Sequence, residues 1–158
     1  MIKSTVIKLG RGLGDILFGI SKDDLENLIG EADFEESFEN ENPDLGESHV
    51  WHYNDTNLSF TFEELDNFKL GMISVNTDQY TLRDSIRIGQ EKQHVLDLLE
   101  ELNMTEYAQE DHSNEDNTDH TLVTIDEKSL YLWFDAGKLS EIQWFPFYDG
   151  DDEIIWPA

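Results

Sequence analysis

The feature that most constrains how this chain can fold is an internal repeat. The segment "GISKDDLENLI", which begins at Gly19, matches "GQEKQHVLDLL", which begins at Gly89, without a gap. Further along, "LSFTFEELDNFKLGMISV" from Leu58 parallels "LYLWFDAGKLSEIQWF" from Leu130. Because these segments follow one another in the same order in both halves, the sequence indicates a duplicated structural unit.

The repeat determines the domain organisation that we expect. We predict a single domain over 1–158, built of two repeats at approximately 1–78 and 79–148. An acidic C-terminal tail is expected at 149–158. A chain of this length buries about 70% of the surface that it exposes when unfolded, so one shared hydrophobic core is expected.

Each repeat opens with a helical pattern. In the first repeat, Leu25, Leu28 and Ile29 have the i, i+3, i+4 spacing of one helix face. Ser21, followed three residues later by an aspartate, resembles a capping box, and Gly30 is a natural C-terminal cap. The second repeat continues the same apolar pattern with Val95, Leu98, Leu99 and Leu102.

Alternation of apolar and polar residues then predicts three strands in each repeat. The expected strands are 49–53, 58–62 and 70–75, followed by 121–125, 130–134 and 139–145. Short turn segments such as "NDTN" and "DAGK" separate them, as in antiparallel hairpins. The predicted fold class is α+β: two tandem helix-plus-three-stranded-meander units that form an antiparallel sheet covered by helices.

Two segments show neither the helical spacing nor the strand alternation of apolar residues. Residues 31–47 contain many acids and no base, and residues 109–120 are equally polar. We therefore predict that both are long, solvated loops.

The charge of the chain limits its partners. Asp and Glu number 36 against 10 Lys and Arg, for a formal net charge of −26. This balance repels nucleic acid and anionic membrane surfaces, because both are polyanions, and it favours basic proteins or cations. The alternative is a housekeeping domain of unknown role whose acidity serves solubility alone.

The sequence contains no catalytic or nucleotide-binding signature. Gly10, Gly12 and Gly14 resemble a phosphate-binding loop, but Asp15 stands where a dinucleotide-binding motif requires glycine, and no P-loop ending follows. No serine occupies a nucleophile elbow, and the chain has no cysteine. We therefore expect no enzymatic activity and no cofactor.

Metal binding is a further alternative. His49 and His52 are three apart on a predicted strand, so their side chains are expected on opposite faces. His112 and His120 lie in the acidic segment 109–120, which allows a divalent-cation site, although no established ligand spacing supports it. We predict no metal ligand among these residues.

The N-terminus and hydropathy bear on location. "MIKSTVIKLG" lacks the apolar core of a signal peptide, and no apolar run approaches the roughly 20 residues that span a bilayer. We expect a cytoplasmic protein that does not contact membranes and that is a monomer or a weak dimer.

The motifs of the first repeat resemble those of a group of small bacterial proteins. "LGRGLGDILFGISKDDLENLIGEAD", then "WHYNDTNLSFTF" and "KLGMISV", are similar to the helix-plus-meander repeat of beta-lactamase-inhibitor-protein-like folds and small outer-membrane-assembly lipoproteins. Acidic proteins of this kind resemble the immunity proteins that neutralise secreted toxins. The resemblance implies a stoichiometric inhibitor of a basic, nuclease-type toxin domain.

The partner-binding surface is expected in the two acidic segments and the aromatic C-terminus, because exposed rings among carboxylates suit a basic protein. The residues that we expect to bind the partner are Glu35, Glu36, Glu39, Glu41, Asp44, Glu110, Asp111, Glu115, Asp116, Tyr148, Asp149, Asp151, Asp152 and Trp156.

Overall fold

The computed structural model describes residues 6–116 and 118–157 and consists mainly of β-strands. The strands are β1 (Val6–Lys8), β2 (Gly12–Leu13), β3 (Ile16–Leu17), β4 (Phe34–Glu39), β5 (Glu47–Tyr53), β6 (Leu58–Glu63), β7 (Lys69–Val75), β8 (Thr81–Leu82), β9 (Ala108–Asp111), β10 (His120–Ile125), β11 (Leu130–Asp135), β12 (Lys138–Trp144), β13 (Phe147–Tyr148) and β14 (Ile154–Ile155). The helices are α1 (Lys22–Ile29) and α2 (Lys92–Glu101), with 3-10 helices at Pro43–Leu45, Glu64–Asp66 and Asp126–Lys128.

Eight strands form one antiparallel sheet in the order β4-β5-β6-β7-β12-β11-β10-β9. Each half of the chain supplies a four-stranded meander, and the two meanders join where β7 pairs with β12. A β-bulge interrupts β6 between Thr61 and Phe62, and another interrupts β11 between Trp133 and Phe134. The prediction of an antiparallel sheet is confirmed.

The entrances to the two helices make the same backbone contacts. The Gly19 N–H donates to the carbonyl of Leu70 at 2.9 Å, and the Gly89 N–H donates to the carbonyl of Leu139 at 2.8 Å. Both glycines have a φ of 96°, in the region that favours glycine. The residues aligned between the two halves of the sequence therefore occupy equivalent places in the sheet.

The predicted α+β class, with helices that cover the sheet, is wrong. The protein is mostly β, with 44% strand against 18% helix, and two α-helices occur in the described residues. Helix α1 fully buries Leu25, and α2 fully buries Val95 and Leu99. Helices of 8 and 10 residues that bury one or two side chains each cannot cover eight strands, so most of the core comes from the strands themselves.

The six predicted strands are confirmed to within two residues at each end. The prediction of loops at 31–47 and 109–120 is wrong, because these segments contain β4 and most of β9. Both are edge strands whose side chains are almost all exposed, so they lack the alternation by which a half-buried strand is recognised. Each meander therefore has four strands, whereas three were predicted.

The N-terminal glycine segment builds a second, small sheet in the order β3-β2-β1-β8, in which β1 and β8 are parallel. A Cβ on Gly12 would lie 1.9 Å from the carbonyl oxygen of Ile16, so only glycine fits between β2 and β3. The Trp144 indole N–H donates to the Gly12 carbonyl at 2.9 Å and ties this sheet to the large one.

The hydrophobic core lies on one face of the eight-stranded sheet. Along β6, Leu58, Phe60 and Phe62 are buried, while the residues between them are half-buried. The core cluster joins such strand positions to α1, α2 and the small sheet. The largest fully buried side chains are Trp144, Phe18, Phe60, Phe62 and Phe134. Within 6–116 and 118–157, neither helix has the length and apolar character needed to cross a membrane.

Candidate protein-docking face

The second face of the eight-stranded sheet carries half-buried polar and aromatic side chains that alternate with the core positions. We call it the open face. It consists of Glu36, Ser48, Val50, His52, Ser59, Thr61, Glu63, Met72, Ser74, Thr124, Tyr131, Trp133, Glu141 and Gln143. A half-buried face of this composition is accessible to a second molecule.

Hydrogen bonds hold the centre of the open face in place. The Ser74 hydroxyl donates to the Glu141 carboxylate, and Gln143 Nε2 donates to the same carboxylate at 3.1 Å. The Trp133 indole N–H donates to Gln143 Oε1 at 2.8 Å. These bonds run across β7, β12 and β11, so a carboxylate and a large aromatic ring have set orientations before any partner arrives.

One edge of the open face is built on β4 and β5. His52 Nδ1 contacts the Ser59 hydroxyl at 2.7 Å, and His52 Nε2 lies 3.1 Å from Glu36 Oε1. The second contact does not have hydrogen-bond geometry, so His52 Nε2 has no hydrogen-bond partner among the described residues. Phe34 stacks on His52 with 5.9 Å between ring centroids, and Phe34 and Phe38 are 56% and 51% exposed.

On the β9 side of the centre of the open face, Trp133 contacts two histidine rings. Its indole stacks on the His120 ring at 5.0 Å and meets the edge of the His112 ring at 5.1 Å. His120 Nδ1 is buried and has no hydrogen-bond partner within the part of the chain that the structure describes. The His112 backbone N–H donates to the His120 carbonyl at 2.8 Å, which fixes the spacing of the two rings. The indole ring of Trp133 therefore lies between two histidine rings.

Three acidic clefts surround the 3-10 helix Glu64–Asp66. A cleft of about 210 Å³ and another of about 190 Å³ both include Glu63 and Asp66 in their walls. A third, of about 280 Å³, is lined by Glu39, Glu47 and Glu64. Burial raises the pKa of Asp66, and nearby Lys69 opposes part of that rise. Carboxylates are thus concentrated at this end of the open face.

The sheet separates the acidic residues predicted to bind a partner into two groups. Strand β4 and the segment after it carry one group: Glu35, Glu36, Glu39, Glu41 and Asp44. Strand β9 and the segment after it carry the other: Glu110, Asp111, Glu115 and Asp116. Because β4 and β9 are the two outer strands, seven spacings of about 4.8 Å place the groups about 34 Å apart. They flank the open face and do not form one patch.

The C-terminal residues divide differently. Tyr148 lies on β13 and is 49% exposed, and Asp149, Asp151 and Asp152 form the turn to β14. The Asp149 carboxylate accepts the Asp151 N–H at 2.8 Å, so the segment predicted as a tail contains a hairpin. Trp156 is half-buried against the core, and Lys69 Nζ lies 5.3 Å from its ring centroid. Of these residues, Tyr148 reaches a cleft wall.

The segment proposed as an alternative cation site has no metal geometry. Among residues 6–116 and 118–157, no three His, Asp or Glu side chains are placed to hold a metal ion. Asp111 accepts the Ser113 N–H at 2.9 Å, and hydrogen bonds from Ser113 lower the pKa of Asp111. Residue 117 of this segment lies outside the described residues.

Sequence reasoning missed several residues of the open face. His52, Trp133, Glu63 and Glu141 were not among the predicted partner-binding residues, although all lie on strands that were predicted. The alternation that located the core positions also locates the residues between them. Applying that period to the opposite face would have found the open face.

Comparison with known proteins assigns no function to this chain. No protein-family model matches it, and no curated protein and no solved structure matches it.

Proposed function

We propose that this chain is a non-catalytic binding protein whose open face docks a basic protein. In its most specific form, the proposal is an immunity protein that neutralises a basic, nuclease-type toxin. The observation that carries it is the half-buried open face, with carboxylates and aromatic rings between two acidic edges, on a chain of net charge −26.

Charge supports a basic partner. Enzymes that act on nucleic acid present cationic surfaces to their polyanionic substrates. A strongly acidic inhibitor is attracted to such a surface, and complementary charge raises association rates well above the roughly 10⁵–10⁶ M⁻¹s⁻¹ of unsteered association. The acidic groups on β4 and β9 would extend this attraction beyond the contact area itself.

The size of the open face supports a stable complex. Eight strands at about 4.8 Å spacing span about 34 Å, and six residues at about 3.3 Å each span about 20 Å. The product, about 700 Å², approaches the roughly 800 Å² per partner of a standard protein interface. The aromatic rings of Trp133 and Tyr131 are of the kind that dominates binding energy at such interfaces.

The test is inhibition of a basic nuclease toxin encoded beside the gene for this chain. We expect saturation of inhibition at one chain per toxin, with an association rate that falls as ionic strength rises. Trp133→Ala should weaken binding by at least tenfold, because it removes a central aromatic contact. Leu28→Ala is the control, since Leu28 is exposed and lies on α1, which packs on the core face of the sheet.

Two results would contradict the proposal. One is a toxin that remains fully active with excess chain. The other is an association rate that does not change with salt concentration. In that case the acidity of the chain would serve its solubility and not the recognition of a partner. Hen lysozyme, a basic protein of unrelated activity, is the control: its binding to the chain gives the contribution of charge alone.

A further inference from the structure

A cluster of three aromatic rings outside the core lines the cleft of about 210 Å³ beside the 3-10 helix Glu64–Asp66. We call it the tyrosine cleft. Its walls combine two carboxylates, one thioether and three aromatic rings: Glu63, Asp66, Met72, Tyr131, Phe145 and Tyr148. Strands of the open face form one wall, and the chain that leads into the C-terminal hairpin forms the other.

The three rings are arranged edge to face. The Tyr131 and Phe145 centroids lie 5.0 Å apart with 73° between the ring planes, and those of Phe145 and Tyr148 lie 6.3 Å apart at 66°. The backbone behind them is anchored, because the Phe145 N–H donates to the Ser129 carbonyl at 3.1 Å. The Ser129 hydroxyl, which is buried, donates to the Pro146 carbonyl at 2.9 Å. The aromatic wall therefore has a set shape.

The carboxylates of the tyrosine cleft form no ion pair among the described residues. Among the described residues, neither Glu63 nor Asp66 has a Lys, Arg or His nitrogen within 4.0 Å. Glu63 Oε2 accepts the Ser48 hydroxyl, which holds that carboxylate in position. Lys69 follows on the next strand, but its Nζ lies over the Trp156 ring. Partial burial of unneutralised carboxylates costs free energy, and a cation from outside would recover it.

We propose that the tyrosine cleft receives an arginine side chain of the basic partner. A guanidinium is planar, stacks on aromatic faces and donates hydrogen bonds to carboxylates in a fork, whereas a lysine ammonium offers only a compact charge. The cleft is smaller than the roughly 300–1,000 Å³ of sites for drug-sized ligands, so its size suits a single side chain. This inference rests on the proposed function, because it names the chemistry by which the open face recognises its partner.

The first experiment needs no partner protein. N-acetyl-arginine methylamide is titrated into the full chain, and the ring resonances of Tyr131, Phe145 and Tyr148 are followed by NMR. We expect saturable shifts with a dissociation constant on the order of 1–10 mM. N-acetyl-citrulline methylamide has nearly the same shape without the charge, and it should cause no saturable shift. Equal binding of the two compounds, or no saturation with the arginine compound, would overturn the inference.

Two variants locate the site. Tyr148→Leu removes an exposed ring, and Glu63→Gln removes a charge while keeping the shape, so both should fold. Each should weaken binding of the arginine compound at least fivefold. Phe34→Leu, an equally exposed ring on the outer strand β4, is the control and should leave it unchanged. If Phe34→Leu weakens binding as much as Tyr148→Leu, the tyrosine cleft is not the site.

The two proposals fail in different ways. If the arginine compound binds in the tyrosine cleft but the chain neutralises no basic toxin, the proposed function fails and the arginine site stands. If the chain neutralises a toxin and Tyr148→Leu and Glu63→Gln inhibit as well as the unchanged chain, the arginine site fails and the proposed function stands.

Discussion

The indole N–H of Trp144 donates to the carbonyl oxygen of Gly12 at 2.9 Å, although 132 positions separate the two residues in the chain. Trp144 is the last residue of β12, one of the two central strands of the large sheet, and Gly12 lies on β2, an inner strand of the small sheet. The bond is buried, so water cannot replace it. It couples the two sheets at a point where each has little freedom to adjust.

We expect Trp144→Phe to lower the free energy of unfolding by about 2–4 kcal/mol. The change leaves the buried Gly12 carbonyl without a donor and also removes part of a fully buried ring. Urea denaturation followed by far-UV circular dichroism measures the loss. Trp133→Phe is the control and should cost less than about 1 kcal/mol, because Trp133 is half-exposed. Equal losses for the two variants would show that the bond to Gly12 contributes nothing of its own.

The N-caps of the two helices offer a matched pair. Ser21 caps α1 by accepting the Asp24 N–H, and the predicted capping box is confirmed, whereas Glu91 at the same place on α2 makes no side-chain cap bond. Ser21→Ala should destabilise the protein by about 1 kcal/mol, and Glu91→Ser should stabilise it by about 0.5–1 kcal/mol. Thermal unfolding at neutral pH measures both. A Glu91→Ser protein no more stable than the unchanged chain would contradict the assignment.

Gly19 and Gly89 provide a second pair. Both have a φ of 96°, so replacement by alanine strains the backbone at either site by about 1–2 kcal/mol. At Gly19 the added Cβ would also lie 3.1 Å from Trp156 Cε3, while at Gly89 it meets nothing within 4 Å. We therefore expect Gly19→Ala to be the more destabilising in urea denaturation. Identical losses would mean that Trp156 moves aside freely.

Tyr53 should make the protein less stable in alkali. Burial, together with the smaller effect of the neighbouring carboxylates of Glu26, Asp33 and Glu35, raises its pKa to about 12. Above pH 10 the unfolded chain releases this proton while the folded chain keeps it, so the free energy of unfolding falls as pH rises from about 10 to about 12. Below pH 10 both states hold the proton and Tyr53 contributes no pH dependence.

Tyr53→Phe isolates this effect. At neutral pH the variant should be less stable by about 1 kcal/mol, because the Tyr53 hydroxyl donates to the Gly30 carbonyl at 2.8 Å. Above pH 10 it should lose less stability per pH unit than the unchanged chain, so the two curves converge. Parallel curves between about pH 9 and pH 11 would show that Tyr53 does not titrate differently in the two states.

Strands that are buried on one face were predictable from the sequence. Leu58, Phe60 and Phe62 alternate with Ser59 and Thr61 because successive side chains of a strand point to opposite faces. Strands β4 and β9 were not predictable in this way. Their hydrogen bonds come from a neighbouring strand, and their exposed side chains follow no period that marks a strand.

The candidate site was predictable only in its chemistry. Acidity indicated a basic partner, but Glu36 and Glu110 turned out to lie on strands at opposite edges of the sheet. Glu63 and Tyr131 line one cleft, but they are far apart in the chain and no local sequence pattern connects them. Such neighbours exist only because β7 pairs with β12 and brings the two meanders side by side.

The sequence by itself determined the duplicated order of segments, six of the strands, the caps of α1 and the acidity, because each depends on local period, local hydrogen bonds or composition. The tertiary structure alone decided that strands dominate the core, that two acidic segments become edge strands, and that one face of the sheet remains open. These properties depend on pairing between residues distant in the chain, which no local pattern contains.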